Sequence, residues 1–157
     1  MQSILFVITR DIMHVAFFGI DDARLAEAFT IRFDVFVDEQ KVPVEIEVDE
    51  HDREDPTAVH ALVYLHEKPV ATGRFYEKDE TTVQIGRMAV LKEMRGRGMG
   101  RSLLDALVEE AKRRGYTEVQ LHAQTHAREF YEKSGFVAFG KEFDDAGIPH
   151  IEMKRQL

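Results

Sequence analysis

Cysteine and tryptophan are absent from this 157-residue chain, and proline occurs only four times. Without cysteine there is no disulfide scaffold, no thiolate zinc site and no cysteine nucleophile. No run approaches the roughly 18 apolar residues needed to span a bilayer. The apolar stretch 4–8 is too short for the hydrophobic region of a signal peptide, lacks a basic flank before it, and meets Arg10 and Asp11 at once. Positive charge is also scarce. Lys and Arg number 21 against 29 Asp and Glu, a net charge of −8, which disfavours nucleic acid and anionic membrane as partners. What remains is ordinary globular material: 44% hydrophobic residues, 11 of them Phe, enough to offset chain entropy over a length one core can serve. The expectation is a single cytoplasmic domain over 1–157, monomer or homodimer, with residues 1–12 a peripheral extension.

Periodicity then divides the chain. Leu25, Phe29, Phe33 and Phe36 recur at helical spacing, predicting a helix over 22–40 that Asp21 or Asp22 caps. Residues 45–55 hold seven carboxylates and one Arg and read as a solvated acidic loop. Strands are predicted at 14–18, 58–66, 70–77, 82–90, 118–124, 136–143 and 150–154. A long helix over 98–114 carries the stripe Met99, Leu103, Leu107, Ala111, widened by Leu104 and Val108, with Glu109–Arg113 and Glu110–Arg114 pairs on its other face. A short helix falls at 127–134. A meander followed by a strand–helix–strand crossover gives a mixed α/β sheet covered by helices.

The chemistry concentrates in Arg95-Gly96-Arg97-Gly98-Met99-Gly100, between a buried strand and the long helix. Alternate glycines allow close backbone approach and leave amides free at a helix N-terminus, an anion site. Residues 91–101 hold Lys92, Arg95, Arg97 and Arg101 against Glu93 alone. A diphosphate suits that local excess. The dinucleotide-binding and Walker spacings both fail, because Arg101 stands where the former needs Gly and Arg101-Ser102 follows the wrong glycine pattern for the latter.

Arg95-x-x-Gly98-x-Gly100, after a strand and before an amphipathic helix, resembles the acetyl-CoA loop of the GCN5-related N-acetyltransferases (GNAT). The stretch from Ala127 through Phe130, Tyr131, Lys133 and Gly135 to Phe136 is similar to that family's second signature. Val35 to Gln40 and Asp145 to His150 further resemble the YjcF-like branch. The resemblance covers about 22–154. It implies a mixed, mostly antiparallel, twisted sheet of six to seven strands with helices on both faces.

By the same resemblance the cosubstrate is acetyl-CoA and the acceptor a small-molecule primary amine that attacks directly. Met88, Ala89 and Val90 would pair with the pantetheine arm, and Arg95, Gly96, Arg97, Gly98, Met99, Gly100 and Arg101 would hold the diphosphate. Gln124 replaces an Asn that many relatives carry. Tyr131 would act as general acid and touch the cofactor. Gln84 stands where some relatives have a Glu base. His122 is one substitute, and the 45–55 segment, through Glu47, Asp49 and Asp52, is another and would draw in the cationic amine. Arg32 and Arg87 answer buried carboxylates or lie beside the site. No metal is assigned, since direct transfer needs none and His122 and His126 lack the one-face spacing of a metal helix. The rival readings are a CoA-binding sensor without catalysis, suggested by Gln84, and an acyl-homoserine-lactone synthase, disfavoured by the missing Trp.

Overall fold

The computed structural model describes residues 3–8 and 11–157, with side chains from residue 12 onward. Eight strands form one sheet in the order β1-β2-β3-β4-β5-β6-β8-β7. They are β1 (Ser3–Ile8), β2 (Asp11–Phe18), β3 (Val59–Leu65), β4 (Lys68–Glu77), β5 (Thr82–Val90), β6 (Glu118–Gln124), β7 (Val137–Asp145) and β8 (Ile148–Gln156). Every neighbouring pair is antiparallel except β5 and β6, which the helix α4 (Met99–Arg113) connects in parallel. The count exceeds the expected six to seven by β1, which pairs with β2 as an edge strand. Residues 1, 2, 9 and 10 of the proposed peripheral extension lie outside the described residues. The buried core is joined from Met13 onward.

Alternation along each strand divides the core between the sheet's two faces. On one face Val83, Ile85, Val119 and Leu121 pack against Met99, Leu103, Leu104, Leu107 and Ala111 of α4. The predicted α4 stripe is therefore the buried one. Its polar face differs from expectation in one respect, because Arg113 and Arg114 both close on Glu110 rather than one of them on Glu109. On the other face Phe18, Leu62 and Ala89 meet α1 (Leu25–Arg32). Gly73 makes the first packing possible, since a Cβ there would stand 3.0 Å from Leu107 and 3.3 Å from Met88.

The long N-terminal helix is the first correction. Only Leu25–Arg32 is α-helical, and Phe33–Glu39 continues as a π-helix, with Gln40 N–H donating to the Val35 carbonyl. The buried positions are Leu25, Ala28, Ile31, Arg32 and Val35, whereas Phe29, Phe33 and Phe36 are only half-buried. Neither Asp21 nor Asp22 caps the start: Arg24 is the N-cap residue, without a side-chain cap, and Asp22 accepts from Arg24 N–H at 2.9 Å in the preceding turn.

The acidic segment is the second correction. It forms two short helices, α2 (Val44–Glu47) and α3 (Glu50–Arg53), and it is not a solvated loop. Glu47 and Asp52 are each 2% exposed. Burying carboxylates is costly unless cations pair with them, and three arginines from distant elements do so. Arg32 reaches Glu47 at 2.9 Å and Asp52 at 2.8 Å, Arg74 reaches Asp52 at 2.7 Å and Asp49 at 2.6 Å, and Arg87 reaches Glu47 at 2.9 Å. Asp49 adds a capping box to α3. Three carboxylates thus face three guanidinium groups.

Candidate active site

The site begins with a defect in the sheet. Between β4 and β5 the register passes from Arg74↔Gly86 to Thr72↔Ala89, so Arg87 and Met88 bulge against one opposing residue. Arg87 takes a left-handed φ of 53° there. A bulge reverses the alternation of side chains. Before it Val83 and Ile85 point toward α4, and after it Met88 and Val90 do, while Ala89 turns to the α1 face.

Beside the bulge the sheet parts. Parallel pairing of β5 with β6 ends at Ile85↔Leu121, while β6 stays paired to β8 as far as Gln124↔His150. Beyond Ile85 the β6 side of β5 has no strand partner among the described residues. A cavity of about 490 Å³ occupies this opening. Its wall draws on both faces of the sheet. Met88, Ala127 and Tyr131 come from the α4 side, and Arg74, Gln84, His122, Gln124 and His150 from the side of α1 and the acidic segment.

The glycine loop lies next to this opening. Gly98 is the N-cap residue of α4 at φ +79° and contributes no side-chain cap, so the first helical amides lack the partner a capping side chain would give. Added Cβ atoms at Gly96 and Gly98 would meet open space. No acidic residue occupies the first turn of α4. These features fit a diphosphate. Individual side chains differ from expectation. Arg95 is engaged elsewhere, with Glu39 at 2.6 and 2.8 Å and the Val90 carbonyl at 3.0 Å. Met99 is buried in the core, so only its amide is on offer. A Cβ at Gly100 would stand 3.6 Å from Phe130 and 3.8 Å from Val90 rather than in open space. Arg97 is exposed, and Arg101 leans on Asp105 at 3.4 Å.

Tyr131 sits on α5 (Arg128–Glu132). Successive helical residues diverge by about 100°, and Phe130 accordingly packs on Gly100 while Tyr131 lines the cavity. Its hydroxyl points to Met88 Sδ at 4.0 Å. Burial pushes its pKa up to about 12, so it remains a neutral donor at neutral pH.

His122 lines the cavity, 43% exposed, with Nε2 3.5 Å from Glu152. Its pKa is lowered, first by burial and against the pull of Glu152. Gln124 donates to Gln40 at 3.0 Å and takes a contact from His126 at 2.7 Å, which ties the end of the π-helix to the cavity. Gln84 is buried and lines the wall. Among the three acidic substrate candidates, Glu47 reaches the wall, held by Arg32 and Arg87, whereas Asp49 and Asp52 do not line it. Sequence reasoning missed Arg74, Tyr76 and His150. Tyr76 gave no signal beyond its strand, although it stacks on His51 with centroids 3.4 Å apart.

A mostly antiparallel sheet opened beside a glycine-capped helix fits the acyltransferase class. Residues 33–157 match the acetyltransferase (GNAT) domain. The chain belongs to the GNAT family of acyltransferases. It is 43% identical over 136 residues, 86% of this chain and 94% of the relative, to the uncharacterized N-acetyltransferase YjcF of Bacillus subtilis. Among solved structures it resembles an acyl-CoA N-acyltransferase from Pseudomonas aeruginosa, with a TM-score of 0.82 and 31% identity covering 91% of this chain and 99% of that one. Escherichia coli ElaA superposes with a TM-score of 0.82 at 28% identity, covering 91% and 99%. An aminoglycoside 6′-N-acetyltransferase complexed with coenzyme A, 16% identical with a TM-score of 0.69 over 90% and 96%, shares the fold. Among the described residues no helix is long and apolar enough to cross a membrane.

Proposed function

We propose that this protein transfers the acetyl group of acetyl-CoA to a primary amine of a small-molecule acceptor by direct attack of the amine on the thioester. The observation that carries the reading is the parting of β5 and β6 after Ile85 and Leu121, which joins an unpaired strand edge to a cavity reaching both faces of the sheet. The backbone of Met88, Ala89 and Val90 would hold the pantetheine arm along that edge. The N-terminal amides of α4, with Arg97 and Arg101, would hold the diphosphate. A backbone amide at the bulge would stabilise the oxyanion of the tetrahedral intermediate, an interaction worth about 2.7–4 kcal/mol in known cases. Tyr131, a neutral phenol beside Met88, would give its proton to the departing thiolate. The acceptor would enter from the opposite face, past Gln84, Gln124 and Glu47.

The coenzyme A complex of the aminoglycoside acetyltransferase with this fold supports the choice of donor. The missing cysteine supports direct transfer, since no thiol is there to carry the acetyl group. Incubation with acetyl-CoA and a panel of small amines, analysed by mass spectrometry, tests the reading. An N-acetylated amine formed in step with free CoA is expected. Release of CoA by hydrolysis alone, whatever the amine, would overturn it.

A further inference from the structure

We propose that His150 is the general base that removes the proton from the acceptor amine, an inference that rests on the amine-acetylation reading above. The base is the part left open by Gln84, whose neutral amide cannot take a proton. His150 lies on β8 directly opposite Gln124 of β6. Paired residues of neighbouring strands share a face of the sheet, so His150 stands on the acceptor side with Gln84, His122 and Gln124. It is 8% exposed and lines the cavity.

Its tautomer is fixed by geometry. Nδ1 lies 2.7 Å from the Ile148 backbone carbonyl. A carbonyl oxygen only accepts, so Nδ1 carries the hydrogen and the neutral ring has its lone pair on Nε2. Phe143 stacks on the ring with centroids 5.8 Å apart and limits its rotation. The buried nitrogens sealed off without a partner are His60 Nε2 and Arg74 Nε. His150 Nε2 is not among them; it has no hydrogen bond within the described residues and is left to the cavity. His122, by contrast, is far more exposed and lies beside a carboxylate.

Among the charged and titratable groups, Glu47 of α2, Arg74 of β4, Arg87 of β5, His122 of β6, Asp145 of β7 and Glu152 of β8 share the face or the cavity of His150, with Lys78 beyond the end of β4.

In the step proposed, the acceptor ammonium gives a proton to Nε2, and the neutral amine nitrogen then bonds to the thioester carbon. The tetrahedral intermediate collapses, the C–S bond breaks, and the thiolate takes the Tyr131 proton. The proton left on the former amine nitrogen passes through solvent to the Tyr131 phenolate, and Nε2 releases its own proton to solvent, so the enzyme is restored.

The test uses His150→Asn and His150→Gln in the full chain. Asn keeps an N–H where Nδ1 bonds the Ile148 carbonyl and deletes Nε2; Gln reaches the Nε2 position without basicity. Both variants are expected to bind CoA as the wild type does. With a strongly basic alkylamine each should lose about 10²–10³-fold in kcat/KM. With a weakly basic aromatic amine or hydrazide, already neutral at assay pH, the loss should be at least tenfold smaller. Equal losses on both classes, or wild-type rates in both variants, would overturn the proposal. If the wild type acetylates no amine at all, it is the underlying reading that falls.

Discussion

Arg32 and Asp52 stand 20 residues apart in the sequence and meet through two hydrogen bonds of 2.8 and 2.9 Å, each side chain at most 1% exposed. That contact fastens the acidic segment to α1, and Arg32 also holds Glu47, which lines the cavity. Removing one member of a buried pair leaves the other uncompensated. Asp52→Asn is therefore expected to cost about 3–5 kcal/mol in urea unfolding. Glu45→Gln, in the same segment but exposed, should shift stability by no more than about 0.5 kcal/mol. Equal small shifts would mean the network is not structural.

The same cluster predicts a pH dependence. His60 is buried, with Nε2 3.8 Å from Asp52 and no hydrogen-bond partner. Burial lowers its pKa from 6.5 to about 4, with Arg74 and Arg32 adding to the effect and Asp52 opposing it. As pH falls from 6.5 toward 4, the unfolded chain takes up this proton and the folded one does not. Stability is then fully present above 6.5 and declines toward 4, by about 3 kcal/mol at most. Unfolding measured between pH 7.5 and 4.5 should show this slope, and His60→Gln should flatten it. Below that range protonation of Asp49 and Asp52 adds a further loss, since burial raises both but their arginine partners outweigh it and hold them below the usual carboxylate range.

Gly98 separates binding from folding. Its φ is left-handed, but a Cβ would meet nothing, and Asp tolerates that conformation better than most residues. Gly98→Asp should cost only about 1–2 kcal/mol of stability while placing a carboxylate where the diphosphate would lie. CoA affinity should fall by more than about 100-fold in calorimetric titration. A Cβ at Gly100 would already rest against Phe130 and Val90 at ordinary contact distance, so Gly98 is the position that tests binding apart from packing.

Tyr131→Phe should lower kcat by about 10²–10⁴-fold while CoA affinity changes little. Because burial holds the phenol protonated up to about pH 12, no basic limb below pH 10 should belong to it. Normal turnover by the variant would assign the acid elsewhere.

What the sequence disclosed was local. The glycine loop, the α4 stripe and the Phe130–Tyr131 divergence each follow from neighbours within a few positions. The acidic segment was misread because its neutralising cations, Arg32, Arg74 and Arg87, arrive from 15 to 40 residues away. Composition alone counted seven carboxylates and one Arg and pointed to water. The π-helix left no mark either, since Phe33 and Phe36 keep helical spacing while the hydrogen-bond register changes. His150 was visible only as part of a motif; its tautomer depends on a backbone carbonyl that no sequence reading locates.

Initial velocities with acetyl-CoA and a good amine acceptor varied together test direct transfer between two substrates meeting in the opening between β5 and β6. Double-reciprocal lines that intersect are predicted, with the protein's intact mass unchanged by acetyl-CoA alone. Parallel lines, together with a stoichiometric acetyl adduct on the protein, would contradict it.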